Sequence, residues 1–187
     1  MSTSVAAHTA KRVLQTPKAF SNWPTVLFDM AREKVGQGPS TLTFVARSGL
    51  RMECPNVPGA RVPLYEIFAE DCYRFSWFLG PLAGQPLRVL DVGGQVGTFS
   101  CRLAQLQPQA VINTYEPSPT TAGYLRRNIE RNHLGDRITV NEAALAAKVG
   151  TAEFDDNGAG SGENSLVSSA RGTVGTITVQ TTTFDSA

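Results

Sequence analysis

The sequence predicts an α/β fold: a short parallel sheet preceded by a helix and β-hairpin extension. Three observations predict it. Leu87-Arg88-Val89-Leu90-Asp91-Val92-Gly93-Gly94-Gln95-Val96-Gly97-Thr98-Phe99 reads as a buried strand, a glycine-rich turn and the start of a helix, with an acid at the strand's end. A second apolar run, Val111 to Tyr115, also closes on an acid, Glu116. From Leu87 onward strand and helix patterns alternate, and a β-α-β-α-β series implies a parallel sheet with right-handed crossovers.

The elements follow in chain order. Met1 to Asn22 is rich in Ser, Thr and Ala, carries two basic clusters and shows no periodicity, so residues 1–22 are expected to form a mobile tail. Trp23-Pro24 opens a helix, because proline suits a first helical position, and Leu27, Met30 and Ala31 fall on one face before Gly36. Thr41 to Ala46 and Leu50 to Cys54 alternate on either side of the Ser48-Gly49 turn, the pattern of a β-hairpin. Pro55, Pro58, Gly59 and Pro63 predict a loop. Tyr65 to Leu79, with Ile67, Phe68, Tyr73, Phe75, Trp77 and Phe78, reads as packing against the main sheet. Gly80-Pro81 and Gly84-Gln85-Pro86 then mark a boundary, so residues 23–86 form an N-terminal cap and residues 87–187 the α/β unit.

Within that unit the first helix carries Phe99, Leu103 and Leu106 on one face and stops before Pro108. Ser118 is placed to cap the second helix, with Pro119 in its first turn, Leu125 and Ile129 facing inward and Gly135 just past its end. Ile138-Thr139-Val140 is a third strand, and Thr151–Phe154 and Thr173–Thr182 are two more. The Gly-, Asn- and Ser-rich segment Asp155–Ser169 between them reads as a flexible loop.

Composition narrows the functional classes. The net charge is +1, with 41% hydrophobic and 18% charged residues, so no global field draws in nucleic acid or an anionic membrane. No apolar run is long enough to span a bilayer. The N-terminus lacks the apolar core of a signal peptide. Cys54, Cys72 and Cys101 are an odd set without close pairing, read as thiols in a reducing compartment, so a cytoplasmic location is expected. No metal is expected.

Open α/β sheets bind ligands at the carboxyl ends of their strands, which is where the glycine turn lies. Gly93 and Gly97 remove side chains that would keep a ligand from the backbone. Glu116 follows Asp91 by 25 positions, a spacing suited to an acid that takes ribose hydroxyls. Dinucleotides and S-adenosylmethionine compete for such a cleft. The dinucleotide pattern G-x-G-x-x-G fails, since Gln95 and Thr98 stand at its third and sixth positions. Asp91 would repel a pyrophosphate and attract a sulfonium or ammonium. No G-x-x-x-x-G-K-[ST] loop occurs. Tight packing alone is the alternative explanation of the glycines.

From Leu87 onward the chain resembles the FkbM family of S-adenosylmethionine-dependent methyltransferases. The resemblance is carried by Asp91-Val92-Gly93-Gly94-Gln95-Val96-Gly97-Thr98-Phe99-Ser100, Glu116-Pro117, Asn132-His133-Leu134, Ala143-Ala144-Leu145 and Thr182-Thr183-Phe184-Asp185, in that order. It implies a partial Rossmann-like class I methyltransferase sheet and S-adenosyl-L-methionine as cofactor. It also implies Asp91, Gly93, Gly94, Gln95, Gly97, Glu116, Pro117, Asn141 and Ala143 as cofactor-binding residues. Gly93, Gly97 and the backbone near Gln95 would hold the methionine part, Asp91 would favour the cationic groups, Glu116 would accept the ribose hydroxyls, and Asn141 to Ala143 would border the adenine. The implied acceptor is a small-molecule or glycan hydroxyl.

Two departures stand out. Gly94-Gln95 replaces the family's Ala-Asn, and the sequence stops at Ala187 where family members continue with an acidic strand. The first strand is therefore expected to keep an open edge. A truncated or split methyltransferase, or a homodimer or second chain completing the sheet, would follow. No general base stands out, so the catalytic residues are left unassigned. His133 reads as a helix-end residue and His8 as part of the tail. Asp155 and Asp156 read as a solvated turn, and Arg126, Arg127 and Arg131 as a solvated helix face. Tyr73 and Trp77 read as packing residues that could also reach the cleft. A non-catalytic fragment and a nicotinamide-dependent oxidoreductase are the competing functions.

Overall fold

In the computed structural model, which describes residues 3–158, 164–166 and 175–186, two helices open the chain, α1 (Thr3–Ala19) and α2 (Trp23–Glu33). The predicted hairpin follows as β1 (Thr41–Val45) and β2 (Arg51–Pro55), paired antiparallel. Helices α3 (Pro58–Phe68) and α4 (Phe75–Leu79) lead into β3 (Arg88–Val92), α5 (Thr98–Leu106), β4 (Val111–Tyr115), α6 (Pro119–Arg131) and β5 (Ile138–Asn141). The three strands run parallel in the order β3-β4-β5, one half of a doubly wound sheet. A second sheet, β6 (Ala144–Leu145), β8 (Thr176–Thr182) and β7 (Gly150–Asp155), pairs β6 with β8 in parallel and β8 with β7 antiparallel.

One continuous apolar core joins the front of the chain to the parallel sheet. It includes Phe20, Leu42, Phe44, Met52, Leu64, Tyr65 and Phe75 together with Val96, Cys101, Leu103, Ile112, Leu125 and Ile138. Ala144, Phe154 and Val179 form a smaller cluster under the second sheet.

Three expectations about the front segment are corrected. The supposed tail is largely the helix α1, whose last turns dock onto the core. Thr16, Ala19 and Phe20 are buried, and the Phe20 ring meets Phe44 and Tyr65 edge-on at 4.8 and 5.6 Å. Its basic residues are anchors as well: Lys11 and Arg12 both reach Glu70, at 2.9 and 2.6 Å, and the Arg12 guanidinium lies over the Tyr65 ring. The proline-rich stretch expected as a loop is α3. Pro58 occupies the start of that helix, where no N–H is required, and Ala60, Leu64, Tyr65 and Ile67 line one buried face that outweighs the cost of Pro63. The aromatic segment is only half interior. Phe75 and Leu79 are buried, whereas Tyr73, Phe78 and Trp77 are 52%, 46% and 78% exposed, because a helix as short as α4 can offer the core one face.

The end of α6 is also corrected in detail. The left-handed residue that terminates it is His133 (φ 55°), not Gly135, and the His133 N–H closes the turn on the Glu130 carbonyl at 3.0 Å. Near the same end, two asparagines hold the hairpin. Asn128 accepts from the Glu53 N–H (2.6 Å) and donates to the Glu53 and Val96 carbonyls (2.8 Å each). Asn132 accepts from the Arg51 N–H (2.9 Å) and donates to the Arg51 carbonyl (2.7 Å). The edge of β2 is thus hydrogen-bonded by helix side chains rather than by a strand. The helix-face arginines are partnered too: Arg127 and Arg131 pair with Glu53, and Arg126 with Glu142.

At the other side of the parallel sheet, β3 has no strand on its outer edge among the described residues, and Val92 is 52% exposed there. Among the described residues no helix is long and apolar enough to cross a membrane.

Candidate nucleoside-binding site

β3 and β4 deliver their acids to one edge because their registers pair Asp91 with Thr114 and Val92 with Tyr115, leaving Glu116 one step beyond the last pair. The chain leaves β3 through Gly93 (φ 82°), passes Gln95 (φ 46°) and enters α5 through Gly97 (φ 85°), three left-handed residues within one turn. The turn is fastened to the sheet by its own backbone. The N–H groups of Gly93 and Gly94 both donate to the Tyr115 carbonyl at 2.9 Å, and that of Gly97 donates to the Gly94 carbonyl at 2.8 Å.

The glycines do different work. A Cβ on Gly94 would sit 2.1 Å from Thr114 Oγ1, and one on Gly97 would sit 2.5 Å from Leu125 Cδ1. Both positions are therefore close-packing points against β4 and α6. Only Gly93 faces open space, with nothing within 4 Å of a Cβ there. Gly97 was expected to open the backbone to a ligand. Its missing side chain instead makes room for Leu125, and it is Gly93 that leaves the backbone approachable. The departure at Gly94 has the same kind of cause, since Thr114 fills the space an alanine methyl would occupy.

Two cavities flank the turn and share Val92, Gly93 and Gln95 as their common wall. One, of about 310 Å³, is bordered by Glu116, Pro117, Thr121, Ala143, Leu145 and Phe154, with Leu166 on its far side. The other, of about 330 Å³, lies between α3 and the start of α5 and is bordered by Glu66, Tyr73, Asp91, Thr98 and Phe99. The structure thus brings Gly93, Gln95, Glu116, Pro117 and Ala143 to the first cavity, and Asp91, Gly93, Gly94 and Gln95 to the second. Asn141 is placed at neither, because its amide donates to the Thr114 carbonyl (3.4 Å) inside the sheet and its own carbonyl accepts from the Glu116 N–H (3.0 Å).

Glu116 is buried, 4% exposed, and held by two backbone donors: the Gln95 N–H reaches Oε2 at 2.9 Å and the Ser118 N–H reaches Oε1 at 3.0 Å. Burial pushes its carboxyl up to about 7, against the lowering pull of those N–H groups and with further help from the charges of Asp156 and Asp91. Two of its roughly four acceptor positions stay free for hydroxyl donors. Asp91 Oδ2 accepts from Ser100 Oγ (2.6 Å) and Thr114 Oγ1 (3.3 Å). Burial raises its pKa, while the two hydroxyls act in the lowering direction. Thr98 Oγ1, at the first position of α5, is buried and has no hydrogen-bond partner among the described residues, an orphaned polar atom on the wall of the Asp91 cavity.

Several roles differ from those the sequence suggested. Asp156 does not form a solvated turn: its carboxylate accepts from Ser118 Oγ (3.0 Å), from the Gly158 N–H (3.0 Å) and from Asn164 (3.3 Å), which ties the chain after β7 to the start of α6. Asp155 is buried, and its backbone pairs with Ser165. Most of the remaining Asp155–Ser169 segment, read as a flexible loop, lies outside the described residues, as does the side chain of His8. Tyr73 does reach the cleft, its ring 5.1 Å from Phe99, whereas Trp77 lines neither cavity. Glu66, Thr98, Phe154 and Leu166 were missed. Glu66 and Thr98 lie on helix faces, and Phe154 and Leu166 belong to a sheet whose docking no local pattern foretells.

Half of a doubly wound parallel sheet, acids at two strand ends and a glycine turn between them define a class: a partial Rossmann-like α/β sheet with a cleft at its carboxyl edge. No family model matches the chain. The chain is 30% identical over 86 residues to methyltransferase sdnD of Sordaria araneosa, covering 46% of this chain and 31% of that protein. It is 30% identical over 69 residues to methyltransferase 1 of Beauveria bassiana strain ARSEF 2860, covering 37% of this chain and 26% of that one. It spans less than a third of the length of either relative. Among solved structures, a precorrin-6y C5,15-methyltransferase of Geobacter metallireducens superposes with a TM-score of 0.30 and 26% identity, over 31% of this chain and 30% of that one. TYW2 of P. horikoshii, solved in complex with MeSAdo, superposes with a TM-score of 0.44 and 17% identity, over 62% and 46%.

Proposed function

We propose that this chain is the S-adenosyl-L-methionine-binding portion of a methyltransferase of the FkbM type, which methylates a hydroxyl of a small molecule or sugar. The observation that carries the reading is the charge of the two cavities. Glu116 lines one, Asp91 and Glu66 line the other, and neither includes a Lys or Arg among the described residues. A diphosphate in such a cleft meets only like charge, whereas a sulfonium and an ammonium meet opposite charge. The two methyltransferase relatives, matched over 86 and 69 residues, support the reading.

The residues present fit the cofactor. The open face at Gly93 lets a ligand pass along the backbone from one cavity to the other. Glu116 keeps acceptor capacity for two ribose hydroxyls, and the apolar wall of Tyr115, Leu145, Phe154 and Leu166 suits a purine. The unpartnered hydroxyl of Thr98 and the start of α5 suit the amino-acid carboxylate, with Asp91 facing the ammonium. When bound, S-adenosylmethionine supplies a methyl group on a positively charged sulfur. What the chain contributes is orientation, exclusion of water by Tyr73 and Phe99, and a carboxylate, Glu66, on the wall of the Asp91 cavity. The outer edge of β3 offers its pairing groups to a further strand, from a continuation of this chain, a second copy or a second chain.

Isothermal titration with S-adenosylmethionine, its demethylated product and NAD tests the assignment. The first two should bind one-to-one, and Glu116→Gln should weaken both at least tenfold, since hydrogen bonds to a charged acceptor contribute about 1.5–3 kcal/mol. Binding of NAD with indifference to the two adenosyl-sulfur compounds would overturn it. Sedimentation of the same samples tests the edge of β3, for which a monodisperse monomer with slowly exchanging β3 amides is the contrary result.

A further inference from the structure

A cavity of about 540 Å³ lies at the opposite end of the sheet from the glycine turn, where α5 ends and the β1–β2 turn meets α1 and α3. Its volume is within the range of small-molecule pockets, about 300–1,000 Å³. The floor is apolar: Ile67, Phe68, Phe75, Leu79 and Leu106 line it. The rim is cationic, carrying Lys18, Arg47 and Arg102 against one acid, Asp71.

None of these three cations forms an ion pair among the described residues. Arg102 donates to Gln105 Oε1 at 2.6 Å, Arg47 donates to the Pro17 carbonyl at 2.8 and 3.1 Å, and the Lys18 ammonium has no partner among the described residues. Asp71 spends one carboxylate oxygen on the Phe75 N–H at 3.1 Å. The Arg102 guanidinium is half-buried, and burial lowers its pKa against the pull of Asp71. A helix C-terminus attracts a cation with only about half an elementary charge, so the end of α5 does not account for three of them. The molecule therefore sorts its charge. Among the described residues, the two cavities at the glycine turn are lined by acids without a base, and this one by three bases with one acid.

We infer that this basic, apolar-floored cavity binds an anionic amphiphile, a carboxylate with a hydrophobic body, at a site separate from the glycine turn. The carboxylate sits among Arg47, Arg102 and Lys18, and the apolar body lies on Phe68, Phe75 and Leu79. The inference does not depend on what fills the glycine turn.

Calorimetric titration of the full chain with decanoate, decanol and decyltrimethylammonium tests it. Decanoate should bind one-to-one, with an affinity that falls as salt is raised, while decanol and the ammonium compound should bind at least tenfold more weakly. The paired substitution Arg47→Gln/Arg102→Gln should reduce decanoate affinity at least tenfold, in line with the loss of charge-assisted hydrogen bonds. Because Arg47 also anchors the end of α1, Ser48→Glu is the second variant. It places a carboxylate on the exposed rim and should weaken decanoate similarly without removing any contact of Arg47. Decanoate binding that ignores both variants, equal binding of the three ligands, or no binding of decanoate below the millimolar range would overturn the inference.

Discussion

Glu116 makes the protein's stability depend on pH in a direction opposite to that of most carboxylates. Its carboxyl rises from 4.5 to about 7 on folding. At about 1.4 kcal/mol per pH unit, that difference is worth roughly 3 kcal/mol. The folded state holds the proton more tightly than the unfolded chain, so the stabilising contribution is complete below pH 4.5 and is lost as pH rises through about 7. Asp91, also raised by burial, acts in the same sense. Glu70 acts oppositely and in another window. Its hydrogen bonds from Lys11 and Gln15 lower it from 4.5 to about 2, so its contribution is present above 4.5 and lost as pH falls toward 2. Urea unfolding between pH 5 and 8 should therefore show stability falling with pH, and Glu116→Gln should remove most of that slope. The variant should lose about 1 kcal/mol where the wild-type proton is in place, because its amide cannot accept from both backbone N–H groups. It should be the more stable protein at pH 8. S-adenosylmethionine, whose ribose hydroxyls favour the ionised carboxylate, should bind more tightly at pH 8 than at pH 6. Parallel pH profiles for wild type and Glu116→Gln would refute the argument.

Three further outcomes follow from the same geometry. Gly94→Ala and Gly97→Ala should each destabilise by about 1–3 kcal/mol, through the clash with Thr114 or Leu125, whereas Gly93→Ala should cost about 1–2 kcal/mol for its left-handed backbone and act chiefly on ligand affinity. Denaturation and calorimetry on the three variants separate these effects. Asn128→Ala breaks three hydrogen bonds at a fully buried position and should cost about 3 kcal/mol in urea unfolding. Thr98→Val removes an unpartnered hydroxyl, so the free protein should be as stable as wild type or up to about 1 kcal/mol more so, while S-adenosylmethionine affinity falls.

The α/β unit was legible because its signals are local. β3, β4 and β5 are short apolar runs, and Ser118 does cap α6, accepting from the Thr121 N–H at 3.4 Å. The cap was harder to read because its helices owe their form to distant partners. Nothing near Phe20 in sequence announces Phe44 and Tyr65, and the prolines of α3 argue against the helix that Leu64 and Ile67 nonetheless bury. At the site, the sequence marked Gly93 and Gly97 as places where a missing side chain exposes the backbone. Which of them faces a ligand and which faces Leu125 is a matter of tertiary direction. Asn141 shows the same limit: the resemblance implied it at the adenine, but its side chain turns into the sheet.

The asparagine pair on α6 has a consequence for which parts of the chain can change length. Four residues of helix advance about 6 Å, and two residues of strand about 6.6 Å, so Asn128 and Asn132 are commensurate with Glu53 and Arg51. Inserting one residue between the asparagines would swing the second by about 100° around the helix axis and off the seam. The spacing of α6 is thereby locked in phase with a hairpin some eighty positions upstream, so neither can change length alone.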